Sequence, residues 1–442
     1  MRCEKGWAMD EFGKAQTGDA RLTKRLIKLA DSLGSAPSAS IPGACNGHAE
    51  TQGAYRLFDQ ARRDKRALDW ETVLTPHMVR TEERMAAHPV VLCLQDTTEL
   101  DFNGQQIDGL GSLSFDAQRG MYLHPTYAVT PQRLPLGILD SWMWARPLKG
   151  SESRRWVEGY ERVAERAGHL PDTRLVYVAD READMLELMQ RTHALGHPAD
   201  YLLRAQHNRC LPQGGKLWPA TLEAAPLGEI EFTLPARTGQ PERLVRQALH
   251  VRALDLPDGL GGMMSVTSLI AREVGVSQGK KAIEWRLLTN RHVTTLEAAA
   301  ELIDWYRCRW EIETLFHVLK NGCRVEALQL GEIKKLELAL ALYLVVAWRL
   351  AHLTRLARVH PDLPAVAVFD PLEWQAAWLA AGKAPPKKPP SVREVVRRIA
   401  MLGGFLARKG DGEPGVKTLW QGFESLRCFV RGLETMRAIH AL

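Results

Sequence analysis

Four residues between positions 305 and 320 carry groups that could do chemistry. In "WYRCRWEIETLFHVLK", Tyr306, Arg309, Glu313 and Lys320 are a phenol, a guanidinium, a carboxylate and an ammonium. On a helix turning about 100° per residue, the four fall within a sector of roughly 60°. Trp305, Cys308, Ile312, Leu315, Phe316 and Leu319 form a neighbouring apolar stripe that must face a core. A carboxylate on the border of a buried face suits a metal ion. It equally suits an intrahelical Arg309–Glu313 pair at i,i+4, and spacing alone leaves both open.

Two further carboxylates end hydrophobic runs. Asp96 ends the strand-like part of "VVLCLQDTTEL", and Asp180 ends the buried strand "RLVYVAD". In an open α/β sheet, groups at the carboxyl edges of adjacent strands converge. If these two strands are neighbours, the aspartates meet, and Glu313 on a later helix packed against the sheet completes a trio. Three carboxylates that close repel one another, so a cation must sit among them. Mg²⁺, with Mn²⁺ as a substitute, is the natural hard divalent ion with oxygen ligands. Two such ions would activate a water or a 3′-hydroxyl and stabilise the leaving oxygen of a phosphodiester. Arg309, Lys320 and Tyr306 then become a fork, a point charge and a hydroxyl tracking a phosphate backbone. The plainer alternative makes Asp96 and Asp180 ordinary strand-end turn residues.

The elements that must position these groups follow from the rest of the chain. With 442 residues, 45% hydrophobic and 25% charged, two or three domains of globular composition are expected. Seven widely separated cysteines show no CxxC spacing, so neither a disulfide framework nor a zinc knuckle is indicated. The net charge of +6 is compatible with nucleic acid without arguing for it. The first residues lack a secretory h-region, and the longest uncharged apolar run, Leu338 to Trp348, is about 11 residues, too short for a bilayer. A cytoplasmic, nucleoid-associated protein is the expectation.

Residues 1–75 read as a helical N-terminal domain. Asp19 can cap "ARLTKRLIKLADSLG", where Leu22, Leu26 and Leu29 mark an inner stripe and Arg21, Lys24, Arg25 and Lys28 a basic face. That face suits either DNA or solvent. Residues 76–380 read as mixed α/β: three strands, then helix, strand, helix, strand, and a β-rich insertion at about 207–284. "WRLLT" from 285 resumes the pattern. Thr294 and Glu297 make a capping box for the long helix that follows, which Asn321-Gly322 stops. After the Pro/Lys linker "AGKAPPKKPPSVRE", residues 391–442 are helical again.

"VLCLQDTTELDF", "VYVADREADMLELM" and "YRCRWEIETLFHVLKNG" resemble the DDE transposases of bacterial insertion sequences. The branch is the one with the signature Y-x2-R-x3-E-x6-K, which Tyr306, Arg309, Glu313 and Lys320 fit at every position. "GDARLTKRL" and "TQGAYRLF", the latter containing Arg56, look like the family's N-terminal DNA-binding segment, and "PGVKTLWQGFESL" like its C-terminal end. The resemblance implies a ribonuclease H-like core, with Asp96, Asp180 and Glu313 as catalytic residues holding Mg²⁺. It implies double-stranded DNA as partner, both the terminal inverted repeats and the target, and a homodimer made through 391–442. It also implies that Trp285 receives a base flipped out during hairpin formation and that Arg204 lies near the DNA; the family's next basic residue is here Gln206. Two other classes compete with this one. A silent DNA-binding protein on the same fold should show damage in the triad, and none is seen. A metal-free acid/base hydrolase leaves the Tyr-Arg-Lys row without a purpose.

Overall fold

The computed structural model describes residues 6–62, 68–147, 152–234, 242–276 and 282–440. Its centre is a mixed eleven-stranded sheet. The strands are β1 (Val90–Gln95), β2 (Thr98–Asp101), β3 (Gly111–Ser112), β4 (Arg119–Val129), β5 (Pro135–Trp144) and β6 (Arg174–Ala179). Then come β7 (Asp200–Arg204), β8 (Glu229–Leu234), β9 (Arg243–Pro257), β10 (Met263–Val274) and β11 (Glu284–Thr289). The order is β2-β4-β1-β6-β7-β11-β10-β9-β8, with β3 and β5 also paired to β4.

The central pairings decide the site. β1 and β6 run parallel, with Gln95 opposite Ala179. β6 and β7 are parallel as well, and β4 is antiparallel to β1. β1 and β6 are apolar runs buried almost throughout, as strands covered on both faces require. The β-rich segment makes no separate layer. Its strands β8 to β10 extend the same sheet through β11, which lies antiparallel to β7. Mixed α/β with a β-rich insertion is therefore the architecture found.

The helix Ile333–Val359 is the hub of the helical side. It packs against β5, the N-terminal helices Ala20–Ser35, His48–Phe58 and Trp70–Met85, and the C-terminal helices Val392–Leu402 and Val416–His440. By length and composition it could cross a membrane, but 94% of its most apolar window is buried inside the fold. The 11-residue run read from the sequence understated this helix. Trp70–Met85 runs through residue 75 without a break, so the helical N-terminal segment passes directly into the sheet's covering layer.

Local boundaries depart from expectation in ways that matter. The run "VVLCLQDTTEL" is two strands, with Asp96 and Thr97 between them. Asp180 does not lead straight into a helix. Its Oδ1 accepts from the Arg181 N–H, a 3₁₀ turn covers Arg181–Ala183, and the α-helix begins only at Leu186. Thr295 rather than Thr294 caps Leu296–Arg307, its hydroxyl accepting from the Ala298 N–H at 3.2 Å.

Candidate active site

The helix carrying the chemical row is not straight. Leu296–Arg307 ends, Trp310–His317 begins, and a π-turn occupies Val318–Gly322. At the junction the Arg309 N–H donates to Tyr306 O and the Ile312 N–H to Arg309 O, both at 3.1 Å, i→i−3 bonds that overwind the chain. The π-turn then unwinds it, the Cys323 N–H donating to Val318 O at 2.7 Å. The predicted apolar stripe is buried at all six positions, from Trp305 to Leu319. The packing thus agrees with an amphipathic helix, while the tightened step turns Arg309 inward.

Because Gln95 and Ala179 are in register, the next residues, Asp96 and Asp180, stand side by side at the carboxyl edge of the sheet. Glu313 reaches them from the side, and one guanidinium joins all three. Arg309 Nη1 donates to Asp96 Oδ2 at 2.8 Å and Nη2 to Glu313 Oε1 at 2.6 Å, while Asp180 Oδ2 lies 3.7 Å from Nη2. The arginine side chain is only 7% exposed, against 23% for Asp96, 30% for Asp180 and 42% for Glu313. Its Nε is buried with no hydrogen-bond partner among the described residues. The intrahelical Arg309–Glu313 pair thus forms, but as one arm of a larger cluster.

The cluster carries surplus negative charge, and its protonation equilibria show it. Burial pushes the Asp96 carboxyl up to about 6. Arg309 and the Thr97 N–H oppose this, while Asp180 and Glu313 add to it. Tyr306 donates to Asp180 Oδ1 at 3.3 Å, and burial together with that carboxylate raises its phenol to about 12. Arg204 Nη1 lies 3.9 Å from Asp180 Oδ1. Behind Asp96, the Thr97 hydroxyl is 2.7 Å from His124 Nδ1, and burial holds that imidazole at about 3, hence neutral.

All the donors of the trio are carboxylate oxygens, the set a hard divalent ion prefers. The residues fit such an ion in kind, and the position between them is spanned by a guanidinium. As they stand, no three His, Cys, Asp or Glu side chains among the described residues are grouped closely enough to hold a metal.

The remaining predicted residues are dispersed. Lys320 sits in the π-turn with its Nζ 3.8 Å from Glu326 Oε1, away from the trio. Trp285 stacks on Phe232 (5.9 Å between centroids) and meets Tyr306 edge-on (6.5 Å). It does not line the cavity of about 770 Å³ that opens beside Asp96 and Asp180. That cavity is lined instead by Arg204, Trp218, Glu284 and Arg286, with the Arg286 guanidinium 3.7 Å above the Trp218 ring. Trp218 and Arg286 were missed by sequence reasoning. The period of two along β11 could have found Arg286, since Glu284 and Arg286 must face opposite to Trp285; nothing marked Trp218. In the N-terminal helices Arg21, Lys24 and Arg56 are exposed and Arg25 is half-buried, whereas Lys28 is exposed but lies 2.5 Å from Glu50.

A sheet with two parallel central strands, each ending in an aspartate, and a glutamate brought over its edge by a late helix defines a ribonuclease H-like protein. Three family models lie along the chain: a transposase DNA-binding domain over residues 4–63, a transposase DDE domain over 159–349, and the transposase Tn5 dimerisation domain over 345–441. The chain belongs to the DDE transposases. Asp180 and Glu313 fall inside the matched DDE segment, while Asp96 lies before it. Among solved structures, the chain is similar to a piggyBac transposase, seen by cryo-electron microscopy in a synaptic complex with hairpin DNA. The identity is 8% and the TM-score 0.35, too slight to carry an argument. The match covers 82% of this chain and spans 57% of the piggyBac chain.

Proposed function

We propose that the protein is a cut-and-paste DNA transposase of the Tyr-Arg-Glu-Lys branch. It binds the terminal inverted repeats of its element, cleaves the ends by hydrolysis and transesterification through a hairpin, and joins them to target DNA. The observation that carries this reading is the convergence of Asp96, Asp180 and Glu313, from two adjacent parallel strands and a distant helix, on a single cationic group. Mg²⁺ held by these three, as one or two ions with Mn²⁺ as substitute, would supply Lewis-acid activation of the attacking oxygen and charge neutralisation at the leaving one. The chain's own residues do the rest. Tyr306 and Arg204 flank Asp180 and fix its carboxylate. The cavity walled by Arg204 and Arg286 offers cations to a strand entering beside the aspartates.

Residues 4–63 match a DNA-binding family, which supports the basic face of Arg21, Lys24, Arg25 and Lys28, together with Arg56, as the end-recognition surface. The dimerisation match over 345–441 supports a homodimer within a paired-end complex. For Trp285 the role of base receiver requires its ring to leave Phe232, and Arg309 and Lys320 are assigned to phosphates near the scissile bond.

The test is cleavage of DNA carrying the flanking terminal repeats, with Mg²⁺ present or chelated. Asp180→Ala should lower the rate by at least ~10³-fold, corresponding to about 4 kcal/mol of barrier, while end binding persists. A fully active Asp180→Ala protein, or cleavage indifferent to chelation, overturns the reading.

A further inference from the structure

Arg309 stands where the reading above requires a metal. Its two terminal nitrogens meet oxygens of Asp96 and Glu313, with Asp180 close by, so the guanidinium spans the ground on which the three carboxylates converge. An ion entering between the carboxylates needs the same oxygens, Asp96 Oδ2 and Glu313 Oε1, that the guanidinium's N–H groups already take, so the two compete for one set of acceptors. The arginine also has little else to hold it. Its Nε has no partner among the described residues, so its side-chain hydrogen bonds are those to the carboxylates themselves. We propose that the Arg309 guanidinium occupies the cation position of the triad in the metal-free protein, and that a divalent ion enters only in exchange for it. This rests on the metal-triad reading and adds to it an internal competitor, one that keeps the carboxylates assembled while lowering the affinity for metal.

An organising role for Arg309 predicts the opposite sign. If the arginine only arranged the carboxylates, its removal would scatter them and weaken metal binding. If it competes, its removal leaves three carboxylates with their mutual repulsion unrelieved, and an ion is bound more tightly. The measurement is a Mn²⁺ titration of the full-length protein without DNA, with free Mn²⁺ followed by electron paramagnetic resonance. Arg309→Gln should bind Mn²⁺ at least ~10-fold more tightly than the unaltered protein, given the strength of charge-assisted pairs. Arg309→Lys should fall between the two, since an ammonium cannot fork across the oxygens. If Arg309→Gln does not fold, as judged by circular dichroism, Arg309→Lys decides: tighter binding supports exchange, and equal or weaker binding overturns it. Equal or weaker binding by a folded Arg309→Gln overturns it likewise. Glu313→Ala separates the two levels. If it binds Mn²⁺ as the unaltered protein does, the metal-triad reading itself falls. If it loses Mn²⁺ while Arg309→Gln gains nothing, only the exchange is refuted.

Discussion

Two of the buried clusters of carboxylate and arginine are built on opposite principles. In the first, Glu11 of the helix Trp7–Phe12 meets His77 and Arg84 of Trp70–Met85. Arg84 uses every nitrogen: Nε donates to Leu136 O at 2.5 Å, Nη1 to Glu11 at 2.7 Å, and Nη2 to the Thr81 hydroxyl at 3.2 Å. His77 Nε2 accepts from the Ile138 N–H at 3.0 Å, which leaves Nδ1 as the protonated nitrogen, 2.5 Å from Glu11. One negative charge faces one positive charge, and every arm is satisfied. In the second cluster three carboxylates share Arg309, whose Nε has no partner among the described residues, with Arg204 at the margin. The protonation equilibria move apart accordingly. Burial acts to raise Glu11, but His77 and Arg84 outweigh it and hold the carboxyl at about 2, whereas Asp96 is pushed up to about 6. A balanced cluster holds elements together. An unbalanced one keeps acceptor charge to spare, the arrangement expected of a functional site when perturbed groups gather beside a cavity.

The contrast can be broken most severely by deleting a carboxylate from each cluster. Glu11→Ala strands Arg84 and removes the acceptor of His77, so it should cost about 3 kcal/mol of stability in chemical denaturation at neutral pH. Asp180→Asn relieves repulsion and should not lower the stability of the metal-free protein at all. Equal losses at the two positions would erase the distinction.

A smaller effect follows with acid. The folded-state pKa of Glu11, about 2, lies below the ordinary value of 4.5, so its contribution is fully present above about pH 4.5. It is lost progressively as pH falls toward about 2. Glu11→Gln, measured by thermal unfolding, should therefore flatten the acid branch of the stability profile while lowering its plateau. An unchanged acid branch would mean that the cluster does not tie the N-terminal helix to the core.

The smallest expected effect sharpens the boundary of the unbalanced cluster. Lys320 lies beside Glu326, and its proposed role is to hold a DNA phosphate rather than to serve the three carboxylates. Lys320→Ala should lower the slope of log affinity for end DNA against log salt by about one unit, with little change in the Mn²⁺ needed for cleavage. A changed Mn²⁺ requirement with an unchanged slope would move Lys320 into the metal site.

The parts legible in the sequence are those governed by short-range pattern. Two apolar runs ending in aspartate gave the neighbouring strands, because a buried parallel strand has to be continuously hydrophobic and its polar end has to emerge at the carboxyl edge. The apolar stripe from Trp305 to Leu319 gave the packed face of the glutamate segment. What the pattern could not give is the overwound step at Arg309 and the π-turn at Val318–Gly322, since an even 100° advance hides both. That step changes Arg309 from one of a surface row into the centre of the cluster. Trp285 was placed by the family resemblance, and a strand pattern does not tell that Phe232 of β8 stacks on its ring across the sheet. Trp218 lies far along the chain from Arg286, and only the tertiary fold brings the two together.

The central claim is that Asp180 takes part in metal-dependent cleavage as a ligand. Asp180→Cys tests it most directly, because a thiolate suits Mg²⁺ poorly and softer divalent ions better. Single-turnover cleavage of terminal-repeat DNA should be lost in Mg²⁺ and partly recovered in Mn²⁺ by this variant, while the unaltered protein cleaves in both. Wild-type rates for Asp180→Cys in Mg²⁺ would contradict the account.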